Sequence, residues 1–289
     1  MGEFVLSTLS GIASGAVYGL IGLGLVIIYR ATDVVNFALA GMATGALFVA
    51  SSALGWGWGL AAAIVLAILV SATGGVAVRE VLIRPLGSGQ LFTALVVTMG
   101  VALILDDVLL NVWGGQPRTF PPLIAGDVHI AGAAILYQQL VTVVVAAVAM
   151  LGVGYLFTRT PLGSAMRAVA ESNDTAELLG VNPHRIARLA WALGMGLAAV
   201  GAVLAAPVTG LSIGGFQGAL FFAFTGIFLG GLTSMTGAVV GGLVIGVLAN
   251  WSASYVSANF RDTVVFAVAV AVLLVRPQGL FGQPTFDRV

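Results

Sequence analysis

Between Arg188 and Arg261 the chain runs for 72 residues, 189 to 260, without one Asp, Glu, Lys or Arg. A soluble domain cannot be built from such a stretch, because its elements need a polar face and about a quarter of its residues are ordinarily charged. A bilayer demands the opposite. Each helical crossing takes about 20 apolar residues, with every backbone polar group satisfied inside the helix. The interval has room for three crossings.

The rest of the chain repeats the message, with 60% hydrophobic and 8% charged residues overall. Phe4 to Tyr29 supplies one span, and Val34 to Val78 supplies two, broken at Gly55-Trp56-Gly57-Trp58-Gly59. Leu91 to Val112 and Tyr137 to Phe157 add two, and Thr263 to Val275 is a shorter last run that a snorkelling Arg261 could extend. The expectation is a single all-α polytopic bundle over 1–289, with eight or nine spans, in the inner (cytoplasmic) membrane. A transmembrane β-barrel would show alternating segments of about 10 residues, and these runs are uniformly apolar and longer. The first segment has no basic residue before it and reads as a retained span, with an uncleaved signal-anchor as the alternative.

All 11 basic residues are arginine, and they set the orientation. Arg79 with Arg84, then Arg159, Arg167, Arg185 and Arg188, then Arg276 and Arg288 fall in connections that the positive-inside rule places in the cytoplasm. Trp113 to Ala134 then faces outside, the Arg30 to Asp33 turn inside and the N-terminus outside. Parity after Pro207 leaves Gly218 to Gly231 as either a full span or a re-entrant piece.

Against this background the window 158–186 stands out, because it gathers Arg159, Arg167, Glu171, Asp174, Glu177 and Arg185. Thr160 can cap and Pro161 suits a first helical position, predicting a helix to about Glu171 with Leu162, Ala165, Met166 and Val169 on one face. Asp174 and Glu177 have the spacing of a capping box, Gly180 supplies a stop, and Asn182-Pro183 starts the next membrane helix. The pattern fits a docking surface or a solvated loop, and the two consecutive caps favour docking.

The segment "RTPLGSAMRAVAESNDTAELLGVNPHRI" resembles the cytoplasmic signature of LIV-type ABC importer permeases, specifically their LivH-like half. "GAVYGLIGLGLVIIYRATDVVNFA", "FLGGLTSMTGAVVGGLVIGVL" and "LLVRPQGLFG" extend the resemblance over nearly the whole chain, in order. It implies that 158–186 is the coupling element, with Leu162, Met166, Arg167, Glu171, Glu177 and Leu179 meeting an ATPase. It also implies two ATP-binding cassette subunits, a LivM-like second permease or a second copy of this chain, and an extracytoplasmic binding protein. The implied cargo is a small amino acid, most simply leucine, isoleucine or valine, with urea, amides and other small metabolites also carried within the family.

The chain departs from the family pattern at polar positions. Asn36-Phe37-Ala38 continues with Leu39-Ala40-Gly41, Phe222 stands where a basic residue is common, and Ala249 or Asn250 where an acidic one is. Polar groups at membrane depth usually line a pathway or pair, so these losses suggest a less polar route, with Asn36, Leu39, Phe222 and Asn250 on it. Asn36 could equally cap the second helix. Tyr18 and Tyr29 read as interfacial anchors, Asp106, Asp107 and Asn111 as solvated at the outer end of the fourth span, and Arg261-Asp262 as the outer mouth of the last. Glycines four apart, at 11, 15 and 19, 226 and 230, 237 and 241, and 242 and 246, predict close helix packing ahead of local unwinding at a cavity.

Catalysis finds no support. His129 and His184 fall on opposite sides of the membrane, there is no cysteine, and without lysine no phosphate-cradling Gly-Lys-Thr loop exists. No catalytic residue, metal site or cofactor is expected, ATP being bound by partner subunits. Lipid surrounds the chain, and no nucleic-acid partner is implied. A self-sufficient secondary transporter or channel is the alternative class, and its expected marks are an embedded ionisable pair or inverted repeats, neither evident in the sequence.

Overall fold

The computed structural model describes residues 2–87, 89–130, 133–276 and 278–282, so Arg288 and Pro277 of the closing motif lie outside the described residues. The fold is an all-α bundle. Seven of its helices are long and apolar enough to cross a membrane: Gly2–Thr32 (α1), Leu60–Leu86 (containing α3, Leu60–Val78), Leu91–Trp113 (α4), Tyr137–Arg159 (α5), Pro183–Thr209 (α8), Met235–Val256 (containing α10, Met235–Trp251) and Ala258–Val275 (containing α11, Arg261–Val275). Two shorter apolar helices, Leu39–Gly55 (α2) and Gln217–Gly230 (α9), bring the apolar set to nine. At 1.5 Å per residue they reach only about 26 and 21 Å, short of a hydrocarbon core of about 30 Å. The expectation of eight or nine spans thus divides into seven long helices and two short ones.

The predicted break at residues 55–59 is real: Gly57 adopts φ +87°, which favours glycine, and α3 begins at Leu60. The external connection holds an unforeseen element. Asp127–Ile130 (β1) and Ala133–Leu136 (β2) pair as an antiparallel hairpin directly before α5.

Contacts between neighbours fix the direction of each helix. A Cβ placed on Gly11 would meet Val247 Cα at 2.8 Å and one on Gly15 would meet Leu243 Cα at 2.7 Å, so α1 and α10 run antiparallel. Gly24 against Gly194 and Gly201 against Val17 make α1 and α8 antiparallel also. At the far end, the Leu280 N–H donates to the Leu229 carbonyl at 2.8 Å and the Phe281 N–H to Gly230 at 2.9 Å. The chain past α11 therefore lies at the same end of the bundle as the α9 C-terminus, the cytoplasmic end by the arginine distribution. The stretch from Gly218 to Gly231 is thus a short helix that traverses from one end to the other.

Helix α1 is the hub, buried along most of its apolar length, and α8 is the next most buried. The glycine rows explain this. Gly226 meets Gly242 and Gly230 meets Gly237 across the α9–α10 contact, while Gly15, Gly19, Gly242 and Gly246 interlock α1 with α10. Without side chains at these crossings the backbones touch, and dispersion over long helical contacts replaces a hydrophobic drive that lipid does not provide. Gly241 and Gly242 stay helical, while Gly230 ends α9 and Gly231 turns at φ +110° before Ser234 caps α10. Close packing prevails along the rows, with a break only between α9 and α10.

The halves repeat one packing scheme in opposite orientation. Helix α8 touches α2 and α3 as α1 touches α9 and α10; α2 packs on α3 and α4 as α9 packs on α10 and α11. Both short helices follow a non-helical stretch, residues 34–36 and 210–212 among others. This corrects the sequence reading, which finds no inverted repeat. The repeats share geometry and not residues: Gly75 rests on Met195 at the α3–α8 contact where glycines meet glycines at α1–α10.

Exposed Thr119 and Asp174 lie on opposite faces in this topology. In the natively cysteine-free chain, Thr119→Cys should react with an impermeant maleimide added to intact cells, and Asp174→Cys only after permeabilisation. Equal labelling from outside would overturn the orientation.

Candidate functional site

Two places combine unusual chemistry with a position at a bundle end. At the cytoplasmic end, Pro161–Glu171 (α6) and Asn173–Leu178 (α7) form a compact helical pair between α5 and α8. The Thr160 hydroxyl accepts from the Gly163 N–H at 3.2 Å, and Asn182 Oδ1 accepts from the Arg185 N–H at 3.1 Å, as their sequence positions predict. The middle cap shifts by two residues. Ser172, not Asp174, caps α7, accepting from the Thr175 N–H at 3.2 Å, because the extended backbone that ends α6 falls at Ser172. Gly180 at φ +81° provides the stop.

The amphipathic face of α6 turns inward. Met166 and Val169 are buried, Leu162 and Ala165 are half-buried against the same core, and Gly163 sits so close to α5 that a Cβ there would lie 2.5 Å from Phe157 Cα. Ala176 of α7 is also fully buried. What remains outside is Arg167, Glu171, Glu177 and an apolar pair, Leu178 at 88% and Leu179 at 73% exposure. Among the described residues, Arg159, Arg167, Glu171, Asp174, Glu177 and Arg185 form no ion pair. The two leucines thus form an exposed apolar spot rimmed by charges that have no ion partner among the described residues.

Beside this loop three other cytoplasmic arginines, Arg79, Arg84 and Arg188, are already engaged. Glu80 receives Arg79, Arg84 at 2.9 Å and Arg188 at 3.3 Å, and buried Arg79 also lies 3.3 Å from His184 Nδ1. This cluster ties the end of α3 to the start of α8. The loop is thereby held on a fixed frame.

At the outer end lies a cavity of about 240 Å³ between α1, α5, α8, α9 and Arg261 of α11. Its apolar wall includes Val17, Leu204, Val208, Phe216 and Phe222, and its polar wall Ser10, Ser14, Gln139, Thr142 and Arg261. The Arg261 guanidinium lies 4.8 Å from the Phe222 ring centroid and donates through Nη2 to Tyr18 Oη at 2.9 Å. Tyr18 and Phe222 pack ring to ring at 5.2 Å. Among the described residues, Arg261 is the one charged residue in the lining.

The residues expected on a pathway separate. Phe222 lines this cavity. Asn36 is fully buried elsewhere, its Oδ1 accepting from the Ala38 N–H at 3.0 Å and its Nδ2 3.4 Å from Met195 Sδ. Leu39 is buried at the start of α2, and the Asn250 amide donates to the Gly246 carbonyl at 2.9 Å within α10. Tyr18 and Arg261, read from the sequence as interfacial, meet over the cavity from positions 243 residues apart, a pairing no local pattern could signal. Among the described residues no group of three or more His, Cys, Asp or Glu could hold a metal ion.

Residues 7–273 match the family described as "Branched-chain amino acid transport system / permease component". The chain is 31% identical to the high-affinity branched-chain amino acid transport system permease protein LivH of Escherichia coli, over 99% of this chain and 98% of that protein. It is 30% identical, with the same coverage, to BraD of Pseudomonas aeruginosa, a permease protein of the same kind of system. Among solved structures, PsaBC from Streptococcus pneumoniae in complex with Fab is similar at 14% identity with a TM-score of 0.47, covering 95% of this chain and 89% of that one. That likeness is too weak to bear on the fold. With more than nine-tenths of its length matched, this multi-pass membrane protein belongs to the family of permease components of branched-chain amino acid transport systems.

Proposed function

We propose that the chain is the translocation subunit of an ATP-driven importer whose cargo is a branched-chain amino acid. The observation that carries this is the end-to-end family match, supported by identity near one residue in three to permeases named for that cargo. The chain lacks a phosphate-binding loop, so ATP hydrolysis belongs to separate cassette subunits, which dock on residues 158–186. An extracytoplasmic binding protein delivers cargo to the opposite face, and a second permease, LivM-like or another copy, completes the membrane domain. The chain is a single permease domain over 1–289 with a coupling loop at 158–186, a reading supported by the continuous bundle among the described residues.

Deleting the gene should abolish saturable uptake of leucine and valine at low external concentration, and a plasmid copy should restore it. Leucine uptake unchanged by the deletion, with urea or acetamide uptake lost, would reject the cargo assignment and leave the permease assignment standing.

A further inference from the structure

We infer that the outer cavity is a cargo site for a zwitterionic α-amino acid, in which Arg261 holds the carboxylate, Gln139 accepts from the ammonium, and the aliphatic side chain lies on the apolar wall. This rests on the amino-acid reading above and assigns it a place. The cavity's chemistry falls into three kinds, each matched to one part of such a ligand. Arg261 offers five N–H donors, of which Nη2 is given to Tyr18, while Nε is buried without a partner among the described residues. On the opposite sign, Gln139 gives its Nε2 to Ser10 Oγ at 3.0 Å and leaves Oε1 buried with no donor among the described residues. An unmet donor on a cation and an unmet acceptor on a neutral amide, in the wall of one cavity, are what a carboxylate and an ammonium would satisfy together.

The remaining lining limits the rest of the molecule. Leu204, Val208 and Phe216 offer no hydrogen bond to a side chain, so a polar ligand body would lose its water without compensation. At about 240 Å³ the space falls just below the range of about 300–1,000 Å³ typical for drug-sized ligands, which suits a small metabolite. Stacking on Phe222 and the Tyr18 bond hold the guanidinium plane in place before cargo arrives, so little side-chain freedom is lost on binding. Exposed Asp262 next in sequence partly offsets the charge of Arg261, which keeps the attraction for a carboxylate weak enough for release.

The test is uptake of radiolabelled leucine by the complete transporter in cells, with each variant's membrane abundance measured. Half-saturation is set at the binding protein, so a defect here appears in the maximal rate. Arg261→Gln should lower that rate at least tenfold with half-saturation unchanged, whereas Tyr18→Phe, which keeps the charge but frees the guanidinium plane, should lower it by less, about three- to fivefold. Should Arg261→Gln not accumulate, Gln139→Leu decides: a fall of fivefold or more supports the site, and a rate within twofold overturns it. Arg261→Gln transporting within twofold, or Tyr18→Phe as defective as Arg261→Gln, overturns the inference, the latter by showing that Arg261 serves only to tie α11 to α1. No leucine uptake by the unaltered transporter overturns the amino-acid reading and the inference with it.

Discussion

Valine at Gly242 should keep the permease from accumulating in the membrane, with abundance down at least tenfold. A Cβ at that position would stand 2.5 Å from Gly19 N, 2.6 Å from Gly19 Cα and 3.0 Å from Tyr18 C. All three are backbone atoms of α1, which cannot rotate aside as a flexible side chain can. Overpacking a core typically costs about 1–3 kcal/mol even where side chains give way. Here the two helices must separate, and the same displacement opens the Gly15–Gly246 and Gly11–Val247 crossings along one seam. Because α1 is the helix on which α5, α8, α9 and α10 all pack, its loss is global. Gly152 and Gly154 of α5 provide the control, since nothing lies within 4 Å of a Cβ at either. Alanine at each should be neutral or stabilising by about 0.5–1 kcal/mol, the ordinary helical preference for alanine over glycine. Normal abundance of Gly242→Val with uptake within twofold would refute the seam.

What could be read from the chain before its fold was known divides along the range of the forces involved. Capping is local, so Thr160, Gly180 and Asn182 each do what their neighbours in sequence announce. Ser172 and Asp174 are both competent caps, and the choice between them depends on where α6 runs out of inward-facing contacts after Val169. Span positions follow from the bilayer's demand for apolar length, which is equally local. The hairpin at Asp127–Leu136 is not legible, because its second strand, Ala-Ala-Ile-Leu, runs without a break into the apolar helix it precedes. Nor is the inverted repeat, whose two copies reach the same crossings with glycine in one half and methionine against glycine in the other. The Tyr18–Arg261 pair and the orphaned Gln139 Oε1 exist only once α1, α5 and α11 converge.

The same distinction decides which loop residues matter most to coupling. The sequence treats the apolar face of α6 and the charges of 158–186 as one surface, yet Met166 and Val169 are buried in this chain's own core and hold α6 in place. Arg167 and Glu171 are exposed, and exposed ion pairs are worth about 0–1 kcal/mol each, so replacing both by alanine should reduce coupled uptake by only a few-fold. On the docking proposed above, Leu178 and Leu179 should carry far more. Full burial of a leucine is worth about 1.5–3 kcal/mol, so an ATPase that covers both gains about 3–6 kcal/mol from the pair, or roughly two to four powers of ten in affinity. Leu178→Asp with Leu179→Asp removes that gain and adds two charges to be desolvated at the interface, and since both side chains already face water the isolated fold has nothing to lose. The expected result is leucine uptake reduced at least a hundredfold, with permease abundance unchanged and the ATPase no longer recovered with it on purification. Coupled uptake within twofold of the unaltered transporter would show that the loop is a solvated connection and that the ATPase docks elsewhere.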